Sequence, residues 1–253
     1  MEDEAIINRY GFNSDGHDKV SERVRKLKSA NFEGILGVNL GKNKTSDDPI
    51  EDYVTGVNVF GPMCNYLVIN ISSPNTPGLR SMQNKDQLYN LLKAVIKARD
   101  FLPNRIPVLL KLAPDLNEKE LKEVVDVLKK KECAIDGLII SNTTVDRDLN
   151  LKSENFNETG GLSGKPLNEK STKMIKDVYK LTKGKIPIVG AGGISNGKDA
   201  YQKILAGASA LQLYTSFVYH GPPIVSTIKS ELDALLKENG YKSIADAVGK
   251  GVK

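Results

Sequence analysis

The sequence predicts an α/β protein of the (β/α)8 barrel class, with about six β/α units present. Several short runs rich in Val, Ile and Leu are continuously apolar rather than alternating, which is typical of strands covered on both faces. Helical patterns with a single apolar stripe lie between these runs. The chain has 253 residues, the length of one such barrel, and no Pro- or Ser-rich linker divides it. We therefore expect a single domain over residues 1–253.

The apolar runs and stripes follow one another in strict alternation. The six predicted strands are residues 34–40, 66–71, 107–112, 137–140, 186–190 and 210–213. Ser195 is predicted to cap the helix that follows the fifth of these strands. The connection 149–166 is polar and Gly-rich, so we expect a long loop there, with room for a small extra hairpin. Six strands are two fewer than a complete barrel contains.

Composition and charge exclude several classes of function. The 36 basic and 31 acidic residues give a net charge of +5 that is spread along the chain, which does not favour nucleic acid as a partner. The 2 cysteines have no spacing typical of a metal site or a disulfide framework. The acidic start of the chain does not resemble a signal or transit peptide. We expect no metal and no secreted, disulfide-rich scaffold.

Polar residues follow every predicted strand. Barrel enzymes carry their chemistry beyond the carboxyl ends of the strands, so these positions are candidate site residues. Any single Asn, Ser or Gly could equally form a turn, but six coincidences favour a common site. The strand ends carry Asn39, residues 70–76, Lys111, residues 141–144, residues 190–193, and Tyr214 with Thr215.

The residue types at these strand ends indicate a class of ligand. Gly190, Gly192 and Gly193 expose backbone N–H groups before a helix, which is typical of a phosphate cradle. Lys111 is either a Schiff-base lysine or a fixed positive charge beside an electron-rich cofactor, unless it only extends its stem along apolar surface. The asparagines offer uncharged donors and acceptors that match a planar ring with C=O and N–H groups. Because His17 and His220 lie away from the strand ends, a hydrolase triad is not expected.

Seven motifs at the strand ends together resemble the dihydroorotate dehydrogenase family. The resemblance runs from about Ala5 to the C-terminus. It implies a (β/α)8 barrel in which FMN accepts a hydride from dihydroorotate, giving orotate for de novo pyrimidine synthesis. The motifs are 8–14 (NRYGFNS), 37–45 (GVNLGKNKT), 70–76 (NISSPNT), 111–115 (KLAPD), 141–144 (SNTT), 160–166 (GGLSGKP) and 212–215 (QLYT).

The resemblance assigns roles to individual residues. Ser73 takes the position of the catalytic base, and Thr76 is the nearest hydroxyl in sequence that could relay its proton. Ser141 stands where close relatives often have Thr, which retains the hydroxyl. The implied substrate-binding residues are Asn8, Arg9, Tyr10, Gly11, Phe12, Asn70, Asn75, Asn142 and Thr143. The implied flavin-binding residues are Asn39, Lys111, Ser141, Ser163, Gly164, Gly192, Gly193, Tyr214 and Thr215.

Ser73 also indicates the class within the family. The cytosolic class has Cys at this position, whereas Ser resembles the membrane-associated class, which reoxidises its flavin with a quinone. The resemblance therefore implies quinone as a partner and the mitochondrial inner membrane as the location, with attachment through an N-terminal segment absent from this sequence. Family members have two further barrel strands before the Asn8 motif, so the chain resembles an N-terminally truncated member.

A truncated barrel has consequences that can be stated in advance. We expect the strands at 34–40 and 210–213 each to have an unpaired edge, and this chain alone to be poorly soluble, weak in FMN binding and inactive. Three alternatives stay open: a fragment that binds a ligand without turnover, another FMN barrel acting on a pyrimidine, and a Schiff-base aldolase using Lys111.

Overall fold

The computed structural model describes residues 2–252, which form two compact units. The N-terminal unit comprises Tyr10–Lys111 and Glu118–Gly137. The C-terminal unit comprises the residues up to Arg9, Leu112–Asn117, and the residues from Leu138 onward.

Strands and helices alternate along most of the chain, with short 3-10 turns between some of them. The elements in chain order are β1 (Ala5–Asn8), α1 (His17–Ser29), β2 (Gly37–Leu40), α2 (Pro49–Phe60), β3 (Tyr66–Asn70), α3 (Lys85–Asp100), β4 (Val108–Leu112), α4 (Glu118–Leu128), β5 (Gly137–Ile140), β6 (Gly161–Gly164), α5 (Asn168–Thr182), β7 (Ile188–Ala191), α6 (Gly197–Ala206), β8 (Ala210–Gln212), α7 (Thr215–His220), α8 (Pro223–Glu238) and α9 (Ile244–Ala247).

The N-terminal unit contains three parallel strands covered by helices. β2 pairs with β3, and β3 pairs with β4. Leu67 and Ile69 point to one face of β3 and are completely buried, and Val68 on the opposite face is also buried, as expected for a strand covered on both faces. The α3 stripe that includes Leu88 and Leu91 is completely buried as well, so the apolar stripe read from the sequence is the packed face of this helix.

The C-terminal unit contains a second set of three parallel strands and one antiparallel pair. β5 pairs with β7, and β7 pairs with β8. β1 pairs antiparallel with β6, with Ala5 opposite Gly164 and Asn8 opposite Gly161. β6 lies within the connection 149–166, and its strand partner is the distant β1. Leu162 of β6 also forms an isolated antiparallel bridge with Thr144. The connection thus contains an extra strand, as the sequence allowed, but this strand pairs with β1 rather than with a second strand of the connection.

The α/β class and the six parallel strands agree with the sequence prediction. Among the described residues, β2 pairs only with β3, and β8 pairs only with β7, so each has an edge without a strand partner. The first of the predicted strands, residues 34–40, corresponds to β2, which begins at Gly37. Ser195 does not cap α6. Asn196 does, through Oδ1 accepting from the Asp199 N–H at 2.8 Å, while Ser195 donates to the Asp199 carboxylate.

The helices of the described chain, residues 2–252, include none that is both long and apolar enough to cross a membrane.

Candidate functional site

The loop after β3 holds the predicted base, Ser73, in a buried position. Ser73 is 7% exposed, and its Oγ accepts a hydrogen bond from the backbone N–H of Asn75 at 3.2 Å. Asn70 starts the loop, and its Oδ1 accepts from the N–H of Ser72 at 3.2 Å and from the Ser72 hydroxyl at 2.7 Å. Short polar side chains commonly stabilise a turn by accepting from the backbone two residues on. The NISSPNT motif is therefore a pre-ordered loop.

Two residues that sequence reasoning missed support this loop from within the N-terminal unit. The Tyr53 hydroxyl donates to the carbonyl oxygen of Asn70 at 3.0 Å, and Arg80 Nε donates to the carbonyl oxygen of Ser72 at 3.0 Å. Burial raises the pKa of Tyr53, so this phenol stays a neutral donor. Tyr53 and Arg80 both lie outside the NISSPNT motif, so the motif gave no reason to single them out.

Lys111 ends β4 directly beside the start of this loop. It is the register partner of Asn70 on the neighbouring parallel strand. Its side chain is half-buried, and no described residue forms a hydrogen bond or ion pair with its ammonium group. Burial lowers the pKa of Lys111. A desolvated cation without a protein partner is costly, so such groups are concentrated at functional sites.

The motif 8–14 continues into the N-terminal unit beyond Arg9. Gly11 has φ +69, and a Cβ added there would lie 3.7 Å from the Asn75 carbonyl oxygen and 3.8 Å from Thr76 Oγ1. The motif backbone therefore lies against the loop that carries Ser73. Phe12 packs on Gly41 so closely that a Cβ at Gly41 would meet the ring at 2.4 Å.

Two predicted site residues of this unit are exposed: Tyr10, at 76%, and Asn39. No hydrogen bond joins the hydroxyls of Thr76 and Ser73 anywhere in residues 2–252, so the relay expected from sequence proximity is not formed by direct contact.

In the C-terminal unit, Gly192 and Gly193 follow β7, and we refer to them as the cradle glycines. Gly190, the third glycine of the predicted phosphate cradle, lies within β7 instead and pairs in register with Ile140 and Leu211. Gly192 and Gly193 have φ +109 and +68, which L side chains rarely adopt. A Cβ at Gly193 would also lie 2.5 Å from the backbone nitrogen of Asn168. Within residues 2–252, the N–H groups of Gly192 and Gly193 donate to no other residue. Such amides next to helix starts are suited to bind an anion.

A second group of predicted flavin residues lies together at the end of β6. The Thr215 hydroxyl donates to Ser163 Oγ at 2.8 Å, and Ser163 donates to the Ile6 carbonyl oxygen at 3.2 Å. A Cβ at Gly164, which has φ +101, would lie 3.0 Å from Thr215 Cγ2. The structure thus brings Ser163, Gly164 and Thr215 into one cluster, whereas the side chain of Tyr214 is 76% exposed.

Ser216, next to this cluster, was not identified from the sequence. Its hydroxyl is buried and has no hydrogen-bond partner among the described residues. Buried polar groups in folded proteins are normally satisfied, so an exception is a signal that the sequence pattern alone could not provide.

The motif 141–144 is held by ionic contacts. Ser141 is buried, and the Asn142 side chain accepts from the N–H of Thr143 at 2.8 Å. The Thr144 hydroxyl donates to Asp115 of the KLAPD motif. Asp115 is also paired with Lys170, which sequence reasoning missed.

Lys170 on α5 joins two carboxylates at this place. Its Nζ lies 2.6 Å from Asp115 Oδ1 and 3.1 Å from Asp146 Oδ2. Burial would lower the pKa of Lys170, but the hydrogen bonds and charges of Asp115 and Asp146 outweigh it and raise the pKa. The loop after β5 is therefore fixed to α5 by a cation that stays protonated.

Of the two residues at the start of the motif 8–14, Asn8 ends β1 in the antiparallel pair and Arg9 follows it. Asn8 Nδ2 donates to the Gly161 carbonyl oxygen at 3.4 Å. Arg9 is exposed and paired with Glu158. Arg9 also lines a cleft of about 720 Å³ in this unit. Five carboxylates line the same cleft, so its charge does not suit an anionic phosphate: Glu2, Asp3, Glu4, Glu154 and Glu158.

No group of three or more His, Cys, Asp or Glu side chains within residues 2–252 is arranged to hold a metal ion. The described part of the N-terminal unit offers an uncharged hydrogen-bonding loop with a buried hydroxyl and an ammonium group without a protein partner. The described part of the C-terminal unit offers glycine amides suited to an anion.

Comparison with known proteins gives relatives along the whole chain. A "Dihydroorotate dehydrogenase (quinone), mitochondrial" of Mus musculus is 52% identical over 255 residues, covering 98% of this chain and 64% of the mouse protein. The "Dihydroorotate dehydrogenase (quinone)" of Azorhizobium caulinodans is 48% identical, covering 100% of this chain and 71% of that protein. The chain thus spans about two thirds of the length of these relatives.

A solved structure and a family model agree with these relatives. The crystal structure of ligand-free DHODH from Eimeria tenella is similar with a TM-score of 0.94 and 41% identity, covering 100% of this chain and 75% of that one. This similarity confirms the (β/α) barrel class of the fold. The family model described as dihydroorotate dehydrogenase matches residues 1–236. This chain therefore belongs to the dihydroorotate dehydrogenase family.

Proposed function

We propose that this chain forms the FMN- and substrate-binding domain of a quinone-dependent dihydroorotate dehydrogenase, which oxidises dihydroorotate to orotate in pyrimidine synthesis. Family membership and the names of the mouse and Azorhizobium caulinodans relatives support the reaction and the acceptor. We assign residues 1–253 to a single FMN-binding domain. The mitochondrial name of the mouse relative supports a mitochondrial location, at the inner membrane where a quinone is available.

The observation that carries the proposal is the position of Lys111. Lys111 is half-buried, and its ammonium group has no partner among the described residues. Lys111 is the register partner of Asn70, and Asn70 lies three residues before the buried Ser73. A hydrolase or a lyase acting through metal or histidine would not need this arrangement. A site that removes a proton from one carbon and a hydride from its neighbour needs a base and a fixed positive charge.

In the C-terminal unit, the amides of Gly192 and Gly193 and the buried Ser216 hydroxyl have no hydrogen-bond partner among residues 2–252 and would suit a phosphate-bearing cofactor. In the N-terminal unit, the Lys111 ammonium group, also without a partner among the described residues, would suit an electron-rich ring. When bound, FMN would supply a ring that accepts a hydride from the substrate. Lys111 would then stabilise negative charge through its own positive charge, without transferring a proton. Gly164 and the Ser163–Thr215 pair shape the backbone at the end of β6 for close approach of a ligand.

Ser73 Oγ would take the substrate proton while the serine passes its own hydroxyl proton to a solvent water, so that the hydroxyl stays neutral. A serine hydroxyl is a weak base in water, so its surroundings must favour the deprotonated oxygen. The Asn75 N–H, which already donates to this Oγ at 3.2 Å, stabilises negative charge that develops there. Burial of Ser73 strengthens this hydrogen bond, because the local dielectric is low.

Flavin binding and reduction test the proposal directly. The purified chain is titrated with FMN, then mixed anaerobically with dihydroorotate while the flavin absorbance is followed. We expect FMN binding and bleaching on substrate addition, with reoxidation by a short-chain ubiquinone and not by fumarate or NAD+. A chain that binds FMN without being reduced supports a ligand-binding role instead. A chain that binds no flavin contradicts the proposal.

The alternative that the chain is a Schiff-base aldolase makes a different prediction for Lys111. Borohydride reduction in the presence of a carbonyl substrate traps an imine only if Lys111 is a Schiff-base residue. We expect no trapped adduct at Lys111.

A further inference from the structure

A completely buried lysine lies behind the glycine cradle of the C-terminal unit. Lys203 on α6 is 0% exposed. No carboxylate in the described part of the chain forms an ion pair with it. Its Nζ donates to Ser171 Oγ at 2.6 Å, to Thr172 Oγ1 at 2.8 Å and to the Asn168 carbonyl oxygen at 3.3 Å. All three acceptors lie in the first turns of α5.

The same part of α5 also forms hydrogen bonds with the carbonyl groups of Gly192 and Gly193. Asn168 Nδ2 donates to the Gly193 carbonyl oxygen at 2.6 Å. Ser171 Oγ lies 3.0 Å from the Gly192 carbonyl oxygen, to which it can donate while accepting from Lys203. Hydrogen bonds in such a chain polarise one another. The lysine is thus connected to both glycine peptides through one intervening residue each.

Burying the Lys203 ammonium group would lower the stability of the fold if its only role were to join α5 and α6. Burial of an ammonium group without a carboxylate costs free energy, and an apolar side chain of similar volume would pack there without that cost. Burial lowers the pKa of Lys203 to about 7, against a smaller opposing effect of Asp199, which shows that the folded chain disfavours the charge. Local rules of stability are usually broken where function requires it.

We propose that Lys203 is a positioning residue for the cofactor phosphate, which orders the first turn of α5 and thereby holds the Gly192 and Gly193 amides in the orientation that binds the anion. The inference rests on the proposed FMN function. It adds a residue that touches neither the cofactor nor the substrate and acts through Asn168 and Ser171.

Comparison of FMN with riboflavin isolates the phosphate contribution. Both ligands carry the same ring system, and only FMN carries the phosphate. Dissociation constants are measured by quenching of flavin fluorescence for the wild type, Lys203→Met and Ser171→Ala. Lys198→Met on the same helix is the matched control, because Lys198 is exposed.

We expect Lys203→Met to weaken FMN binding by about tenfold or more, the factor that corresponds to one hydrogen bond of a charged group, and riboflavin binding by less than about twofold. Ser171→Ala is expected to act in the same direction, and Lys198→Met to change neither constant. If Lys203→Met weakens both ligands equally, or neither, the inference is wrong. Should Lys203→Met fail to fold, the ratio of the FMN to the riboflavin dissociation constant is measured in Ser171→Ala and Lys203→Gln instead, and the same criterion applies.

Hydrogen exchange separates this inference from the proposed function. The amides of residues 172–175, which the helical hydrogen bonds of α5 protect, are followed in the ligand-free wild type and in Lys203→Met, and we expect faster exchange in the variant. If the wild type binds neither flavin while these amides exchange faster in the variant, the FMN function is wrong and the ordering role stands. If FMN binds but exchange and the FMN-to-riboflavin ratio are unchanged, only the inference is wrong.

Discussion

Asn70 and Lys111 are register partners at the carboxyl ends of two neighbouring parallel strands. Asn70 provides an uncharged side chain that organises the loop carrying Ser73, and Lys111 provides an ammonium group without a hydrogen-bond or ion-pair partner among residues 2–252. Because parallel strands end at the same edge of a sheet, this pairing places an ordered polar loop beside a positive charge.

Ser73→Ala should slow flavin reduction by dihydroorotate roughly 10²-fold or more, the usual scale for loss of a general base, with FMN retained. Single-turnover absorbance measures the rate in a preparation that reduces its flavin. Ser73→Cys should keep part of the activity and shift its optimum to lower pH, since a thiol ionises more easily. An unchanged reduction rate in Ser73→Ala would rule out this base.

Lys111→Met should weaken FMN binding or lower the reduction potential of the bound flavin. The reason is the loss of a desolvated positive charge, whose burial already lowers the pKa of the lysine. Equilibrium titration and redox titration measure the two effects. Lys97→Met, in the last turn of α3, is the surface control. Equal affinity and equal potential in Lys111→Met would contradict the assigned role.

Lys170→Met should lower the free energy of unfolding by roughly 2–3 kcal/mol, because it leaves two partly buried carboxylates without their cation. Urea unfolding measures the change. Lys173→Met, which removes an exposed pair with Asp177, is the control and should cost less than about 1 kcal/mol. Equal effects of the two substitutions would show that the Lys170 network adds no stability beyond a surface pair.

The stability of the wild type should rise with pH between about pH 7 and about pH 10, through Lys203. The folded pKa of about 7 lies below the ordinary value of 10.5, so in this window the unfolded chain binds a proton that the folded chain has lost. Stability therefore increases as pH rises, and the penalty is fully present below pH 7. Urea unfolding should show this slope in the wild type and a smaller one in Lys203→Met. Parallel pH profiles would contradict the sign or the assignment.

Ser216→Ala should leave the ligand-free chain as stable as the wild type or more stable, by about 1 kcal/mol, because it removes a buried hydroxyl without a partner. Thermal unfolding measures the change. A marked loss of stability would show that the hydroxyl is satisfied in solution.

The sequence by itself determined the class of the fold and the ends of most strands. Short continuous apolar runs such as residues 67–69, bounded by polar residues and alternating with helical stripes, are typical of strands covered on both faces. The sequence also determined the family, because seven motifs with fixed residues at strand ends rarely coincide by chance. Gly164, Gly192 and Gly193 were assigned to the flavin from the resemblance, and the structure adds that each has a positive φ, which favours glycine.

Only the tertiary structure decided the contacts that join distant parts of the chain. The partner of β6 is β1, the support of the Ser73 loop comes from Tyr53 and Arg80, and the residue behind the cradle glycines is Lys203. Local propensity carries no information on such pairs, because their energies arise from burial and hydrogen bonding between segments that meet only after folding. From the sequence alone, a lysine in a helix is expected at the surface. The complete burial of Lys203, and with it the proposed role in ordering Gly192 and Gly193, is decided by the packing of α6 against α5.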